Sequence, residues 1–324
     1  MSMFDNVNNQ PRKRNPREVD WRMKVLVLFG TRPEVIKLAP VIHELRKRFF
    51  QTVVVSSSQH KQLLTPFLEA LEVDVDFDLS VMKRNQSPTE VCSRILAKLD
   101  KVLEAERPDL ILVQGDTTTT LAGALAGFYR RIPVGHIEAG LRSGNLMSPY
   151  PEEMNRRVVS QIAAFHFAAT EKNRRNLLAE DVPSDKIFVT GNPVVDSLRS
   201  MLKKVSPSPK ISQLLKSTEG KKRVLLTTHR RESFGTVMTA NLKVLRAFVE
   251  KRPDVCLFFP VHPNPNVKDI AKDILGKRER IHLLDPLDYG DFLAIMQSAW
   301  LIVSDSGGVQ DEDPSLGKQF LIIL

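Results

Sequence analysis

Only two cysteines, Cys92 and Cys256, occur in the 324 residues, and neither has a second Cys or His at metal-ligand spacing. That excludes a disulfide framework or a zinc site as the organising element, and a reducing cytoplasm is the expected compartment. No apolar run approaches the roughly 18 residues of a membrane span, so no membrane partner is expected. Residues 1–22 are polar and basic without an apolar h-region, which excludes a secretory signal there. They are expected to form a disordered extension, with the folded protein starting near Met23. Neither G-x-G-x-x-G nor a Walker lysine motif is present, leaving NAD and ATP sites unsupported. No recognition-helix, RNA-binding-sheet or zinc-finger pattern accompanies the basic residues, so nucleic acid is not an expected partner. The net charge of +9 suits a phosphate-rich small substrate instead. There is no short-period repeat and no low-complexity tract.

What remains is an ordinary globular composition, 42% hydrophobic and 26% charged, at a length that favours two domains. Short β-branched runs alternate with longer amphipathic stretches. Strands are predicted at 24–29, 52–56, 110–113, 133–137, 166–169 and 186–189. Helices are predicted at 33–48, through 63–71, and at 88–105, 121–129, 152–164 and 171–179. Residues 201–222 turn to Lys, Ser, Pro and Gly, which reads as an interdomain segment. The alternation then restarts with strands at 223–227, 255–260, 280–284, 300–304 and 320–324 and helices at 239–251, 267–275 and 289–298. Apolar strands separated by helices predict α/β lobes, each a doubly wound, Rossmann-like parallel sheet covered on both faces. The expected organisation is a first lobe over 23–200 and a second over 223–324, facing each other across a cleft. Ligands of such sheets sit beyond the carboxyl ends of the strands.

The chemistry-bearing residues fall at those ends. Gly30-Thr31-Arg32-Pro33-Glu34 follows the first strand, where Thr31 and Glu34 form a capping box and Pro33 suits a first helical turn. Capping does not explain Arg32 and Lys37, cations at the positive end of a helix, which make sense around an anion. Asp116 in Gln114-Gly115-Asp116-Thr117, Glu138 in Ile137-Glu138-Ala139-Gly140 and Glu152 in Pro151-Glu152-Glu153 place three carboxylates along one sheet edge. Singly each reads as a cap or helix-start acid; together they read as acid–base equipment. His229-Arg230-Arg231 follows the first strand of the second lobe and reads as a diphosphate contact. His262 reads equally well as a packing residue. Ser306-Gly307-Gly308 follows a later strand, where glycines let backbone N–H groups approach a phosphate, and Glu312 one turn on is placed for ribose hydroxyls.

Six segments together resemble one family, the bacterial non-hydrolysing UDP-N-acetylglucosamine 2-epimerases. They are Phe29-Gly30-Thr31-Arg32-Pro33-Glu34, Gly115-Asp116-Thr117-Thr118-Thr119-Thr120, Gly135-His136-Ile137-Glu138-Ala139-Gly140-Leu141-Arg142, Tyr150-Pro151-Glu152-Glu153, His229-Arg230-Arg231-Glu232 and Asp305-Ser306-Gly307-Gly308. The resemblance implies a glycosyltransferase-B-like fold, no cofactor, and interconversion of UDP-GlcNAc and UDP-ManNAc for cell-surface polysaccharide precursors. It implies elimination of UDP to a 2-acetamidoglucal and re-addition with C2 inverted, on a homodimer in the cytoplasm. On matching positions it implies catalytic roles for Asp116, Glu138, Glu152 and His229. Arg32, Lys37, Arg230, Phe292, Ser306, Gly307, Gly308 and Glu312 would bind substrate or UDP. Gln59, His60 and Gln62 match part of a second, allosteric UDP-GlcNAc site, although Asn85 stands where an arginine is often used.

Two departures from the family pattern stand out: Asp313 follows Glu312 in place of a small apolar residue, and the chain stops at Leu324. The family continues through another UDP-binding arginine into helices that cross back onto the first lobe, so the second lobe is expected to be incomplete. The alternatives are a nucleotide-sugar glycosyltransferase of the same fold and an inactive sugar-nucleotide-binding protein.

Overall fold

The computed structural model describes residues 23–58, 61–83, 86–204, 206–228, 236–261, 264–304 and 318–322. Strands β1 (Lys24–Phe29), β2 (Gln51–Ser56), β3 (Phe77–Asp78), β4 (Leu110–Gln114), β5 (Val134–Ala139), β6 (Phe165–Ala168) and β7 (Ile187–Val189) form one sheet. Its order is β3-β2-β1-β4-β5-β6-β7 and every pairing is parallel. Helices α1 (Arg32–Lys47), α2 (Lys61–Ala70), α3 (Pro88–Glu106), α4 (Thr118–Tyr129), α5 (Glu152–Ile162) and α6 (Glu171–Leu178) connect the strands. Strand β1 is almost wholly apolar because it is covered on both faces, Val25, Val27 and Phe29 packing into one cluster and Leu26 and Leu28 into another.

Helices α7 (Val194–Lys204) and α8 (Pro209–Ser217) lead to the second sheet. Residues 201–222, expected as an interdomain segment, carry helical structure: α7 runs into them and α8 lies within them. Ser208 caps α8 and Pro209 begins it, so Ser and Pro act as helix-start residues rather than as linker residues. The second sheet contains β8 (Lys222–Thr227), β9 (Val255–Pro260), β10 (Ile281–Leu284), β11 (Leu301–Ser304) and β12 (Gln319–Ile322), in the parallel order β10-β9-β8-β11-β12. Helices α9 (Thr236–Lys251), α10 (Pro265–Leu275) and α11 (Tyr289–Ser298) connect them.

The Asp291 carboxylate in α11 accepts hydrogen bonds from Ser208 N and Ser208 Oγ, each at 2.7 Å, fixing α8 against α11. Helix α7 packs on α1, with Ser197 Oγ donating to the Ile36 carbonyl. One apolar cluster runs from β1 and α1 through α7 and α8 to β8, β9 and α11.

Strand order reverses between β1 and β4 in the first sheet and between β8 and β11 in the second. Such switch points open a crevice at the carboxyl ends of the strands. Gly30 and Asp116 flank the first crevice; Thr227 and Ser304 flank the second.

Candidate active site

The turn after β1 is built around Glu34, whose residue is 1% exposed. Glu34 Oε2 accepts from Gly30 N (3.0 Å), Thr31 N (2.7 Å) and Thr31 Oγ1 (2.7 Å), closing the capping box at the start of α1. Gly30 has no room for a side chain, because a Cβ would fall on Ser57 Oγ and Thr119 Oγ1, themselves hydrogen-bonded at 2.9 Å. The two cations of this segment then part company. Lys37 Nζ reaches Glu138 Oε1 at 2.5 Å, both side chains being 12% exposed. Arg32 is exposed, its guanidinium 5.1 Å from the centre of the Phe67 ring. The anion that Lys37 meets in this structure is therefore a carboxylate of the protein itself.

Glu138 is more tightly specified than its position at a strand end suggested. Strand β5 does not stop at Ile137 but continues to Ala139 through a register shift at Glu138, which has φ +66°. A bulge re-aims a side chain, and a left-handed non-glycine backbone costs on the order of 1–3 kcal/mol. The carboxylate is held by Lys37, by Asn192 Nδ2 to Oε1 (2.9 Å) and by Gln114 Nε2 to Oε2 (2.7 Å).

Asp116 follows Gly115, whose φ of +76° makes the turn after β4. It does not cap α4, because Thr117 does so, accepting from Thr120 N at 3.2 Å. Asp116 Oδ2 accepts instead from Arg156 Nε (2.9 Å) and Nη2 (2.6 Å), and its backbone carbonyl accepts from Asn155 Nδ2 (2.7 Å). Arg156 lies four residues after Glu152 on α5, so the two share the helix face turned toward Asp116. Glu152 opens that helix after Pro151, and its Oε2 is buried with no hydrogen-bond partner among the described residues. The neighbouring Glu153, fully buried, accepts from Ser143 N (2.9 Å) and Gly144 N (3.3 Å) and pairs with Arg156 (3.0 Å) and Arg157 (3.3 Å). Burial raises its carboxyl, but those hydrogen bonds outweigh burial and hold it below the ordinary glutamate range.

Sequence reasoning missed Gln114, Asn192 and Arg156 as parts of this site. Arg156 carried a usable signal, a cation at helical spacing from Glu152; Asn192, brought in from beyond β7, carried none.

On the second sheet, Thr227 Oγ1 donates to Ser304 Oγ at 2.7 Å, joining the ends of β8 and β11. The segments that follow them are outside the described residues, and with them His229, Arg230, Ser306, Gly307, Gly308, Glu312 and Asp313; His262 is outside them too. So are residues 1–22, Gln59, His60 and Asn85, while Gln62 lies in α2 with its side chain outside the description. Phe292 is half-buried on α11 against the shared apolar cluster. Among the described residues no group of three or more His, Cys, Asp and Glu could hold a metal ion, and no helix is long and apolar enough to cross a membrane.

Beneath these turns, His136 on β5 and His166 on β6 pair in register and are buried. His136 Nε2 meets the Gly115 carbonyl at 2.8 Å. Burial pushes both imidazoles down to about 4. The folded state therefore holds them neutral, whereas the unfolded chain takes up their protons near 6.5. Their contribution to stability is complete above pH 6.5 and is lost as pH falls toward 4, with a slope of up to about 1.4 kcal/mol per pH unit for each group. Urea midpoints are expected to be lower at about pH 5 than at about pH 7, and His136→Asn should flatten that difference.

The fold and site together define an α/β protein with two parallel sheets, in which carboxylates and cations gather beyond the strand ends of the first. The family model described as UDP-N-acetylglucosamine 2-epimerase matches residues 43–323. The chain is 48% identical over 307 residues to the UDP-N-acetylglucosamine 2-epimerase of Yersinia pestis, covering 93% of this chain and 82% of that one. A crystal structure of a putative UDP-N-acetylglucosamine 2-epimerase from Listeria monocytogenes superposes with a TM-score of 0.86 at 42% identity, covering 93% and 79%. The Neisseria meningitidis enzyme bound to UDP-GlcNAc gives 0.80 at 45% identity, covering 93% and 82%. The chain belongs to the UDP-N-acetylglucosamine 2-epimerase family, and its fold is the glycosyltransferase-B-like α/β fold of those relatives.

Proposed function

We propose that this protein inverts C2 of UDP-N-acetylglucosamine to give UDP-N-acetylmannosamine, by eliminating UDP and adding it back. The observation that carries this reading is the set of three carboxylates beyond the strand ends of the first sheet, two of them paired with a cation. Asp116 is bound by Arg156 and Glu138 by Lys37, whereas Glu152 Oε2 is buried without a partner among the described residues. In the forward step a base takes the C2 proton. The C–H electron pair becomes the C1–C2 double bond, and the C1–O pair departs with UDP. Re-addition with inversion returns a proton to the opposite face of C2, which requires proton-transfer groups on both faces. Glu152 is assigned to one of them. Asp116 and Glu138 shape the field around the reacting carbons and supply the other.

The UDP moiety would lie against His229, Arg230, Ser306, Gly307, Gly308 and Glu312, with Phe292 toward the uracil and Arg32 toward the diphosphate. Gln59, His60 and Gln62 would contribute to a second UDP-GlcNAc site. A homodimer in the cytoplasm belongs to the same reading, and the free thiols of Cys92 and Cys256 suit such a reducing compartment.

Incubation with UDP-GlcNAc alone in deuterated water tests this function. The expected result is UDP-ManNAc carrying deuterium at C2. Product without deuterium would overturn the elimination route. An unchanged sugar would instead favour a glycosyltransferase awaiting an acceptor, or a binding protein.

A further inference from the structure

Glu34 makes a second set of contacts that the capping box does not require. While Oε2 takes the three donors of its own turn, Oε1 accepts from Thr117 Oγ1 at 2.7 Å and lies 3.3 Å from Thr120 Oγ1. Thr120 Oγ1 donates its proton to the Gln114 carbonyl at 2.5 Å, so Thr117 is the donor that Oε1 can count on. A carboxylate needed only for capping would face solvent at a helix start. This one is wholly buried, and burial, its largest influence, raises its carboxyl above the ordinary range despite the hydrogen bonds that lower it. The same two turns are pressed together next to it, where Gly30 abuts Ser57 and Thr119. On one side of the junction lie Arg32 and Lys37, the latter gripping Glu138. On the other lies Asp116, adjacent in sequence to Thr117.

We infer that Glu34 is a positioning residue for the epimerisation proposed above: through Thr117 it clamps the β1–α1 turn to the β4–α4 turn and so fixes Lys37 and Asp116 relative to each other. It touches no reacting atom. Its role is to hold the two sides of the crevice at one spacing, because a displacement of about 1 Å at a reacting centre costs about 10²-fold in rate. This inference rests on the proposed function, since the spacing matters only if both sides act on one sugar.

The test compares paired substitutions in the full chain. Thr117→Ala removes the hydroxyl and Thr117→Ser restores it; Glu34→Ala removes both limbs of the clamp, whereas Glu34→Gln keeps its shape and an acceptor oxygen. The alanine variants are expected to lose roughly 10- to 100-fold in kcat with KM within about threefold, while the serine and glutamine variants stay within about threefold in both. The double alanine variant should be little worse than the poorer single one, because the two residues act as a unit. Should Glu34→Ala fail to fold, the Thr117 pair decides alone. A lowered melting temperature with kcat within about twofold of the unsubstituted chain in Thr117→Ala would show a merely structural contact and overturn the clamp. An unsubstituted chain that turns over UDP-GlcNAc while Thr117→Ala does so equally well refutes the clamp and leaves the proposed function standing. An unsubstituted chain without turnover removes both.

Discussion

Glu152→Gln is expected to slow entry of solvent deuterium into C2 of the sugar by about 10²–10⁴-fold while leaving thermal stability unchanged. The dissociation of the two effects follows from its surroundings. Glu152 opens α5 and its Oε2 has no hydrogen-bond partner among the described residues, so the amide forfeits a proton acceptor but little of the network. Glu138→Gln is expected to behave differently, losing both activity and stability, because Lys37 is left without the negative charge it faces at 2.5 Å. Asp116→Asn should lose activity with a smaller loss of stability, because Arg156 keeps Glu153 as a second carboxylate partner at 3.0 Å. Proton exchange at C2 and calorimetric melting, measured on the same three samples, check this ordering. Normal exchange in Glu152→Gln would remove it from the proton-transfer role.

Glu153→Ala is expected to cost about 3–5 kcal/mol of folding stability, the usual penalty for breaking a buried ion pair from one side. The carboxylate is fully buried and joins Arg156 and Arg157 to the backbone N–H groups of Ser143 and Gly144. Its removal takes away one of the two carboxylate partners of Arg156 and the acceptor of Arg157 Nε, and leaves two amides to find water. Activity should fall as well, because Arg156 is the residue that orients Asp116. Its low carboxyl pKa gives the loss a pH signature: the stabilisation is present above the ordinary glutamate range and fades as pH falls through that depressed value. Urea unfolding of the two proteins at about pH 7 and about pH 4 should therefore show midpoints far apart at the first and closer together at the second.

The alternation of strands and helices was legible because a parallel sheet buried on both faces writes itself as uninterrupted apolar runs, as in β1 and β9. Strand β3 escaped because two residues carry no period, and α8 escaped because Ser208-Pro209 serves a helix start as readily as a linker. Carboxylates at strand ends were also legible, since doubly wound sheets place their ligands there. The geometry that joins them was not. Nothing local in Ile137-Glu138-Ala139 announces a bulge, because the left-handed backbone at Glu138 is held by partners 24 to 101 positions away: Gln114, Asn192 and Lys37. The double duty of Glu34 was hidden in the same way. Its capping role is written within four residues, whereas its bond to Thr117 depends on β1 and β4 being neighbours.

The close fit at Gly30 makes three positions answer to one another. A methyl group there would occupy the space in which the hydroxyls of Ser57 and Thr119 meet. Alanine at 30 is thus compatible with the fold only if both hydroxyls give way, and their hydrogen bond with them. Tolerance at this corner is epistatic: the effect of a change at any one of the three is set by what stands at the other two, so single-site scans would underestimate the range of sequences able to build the crevice.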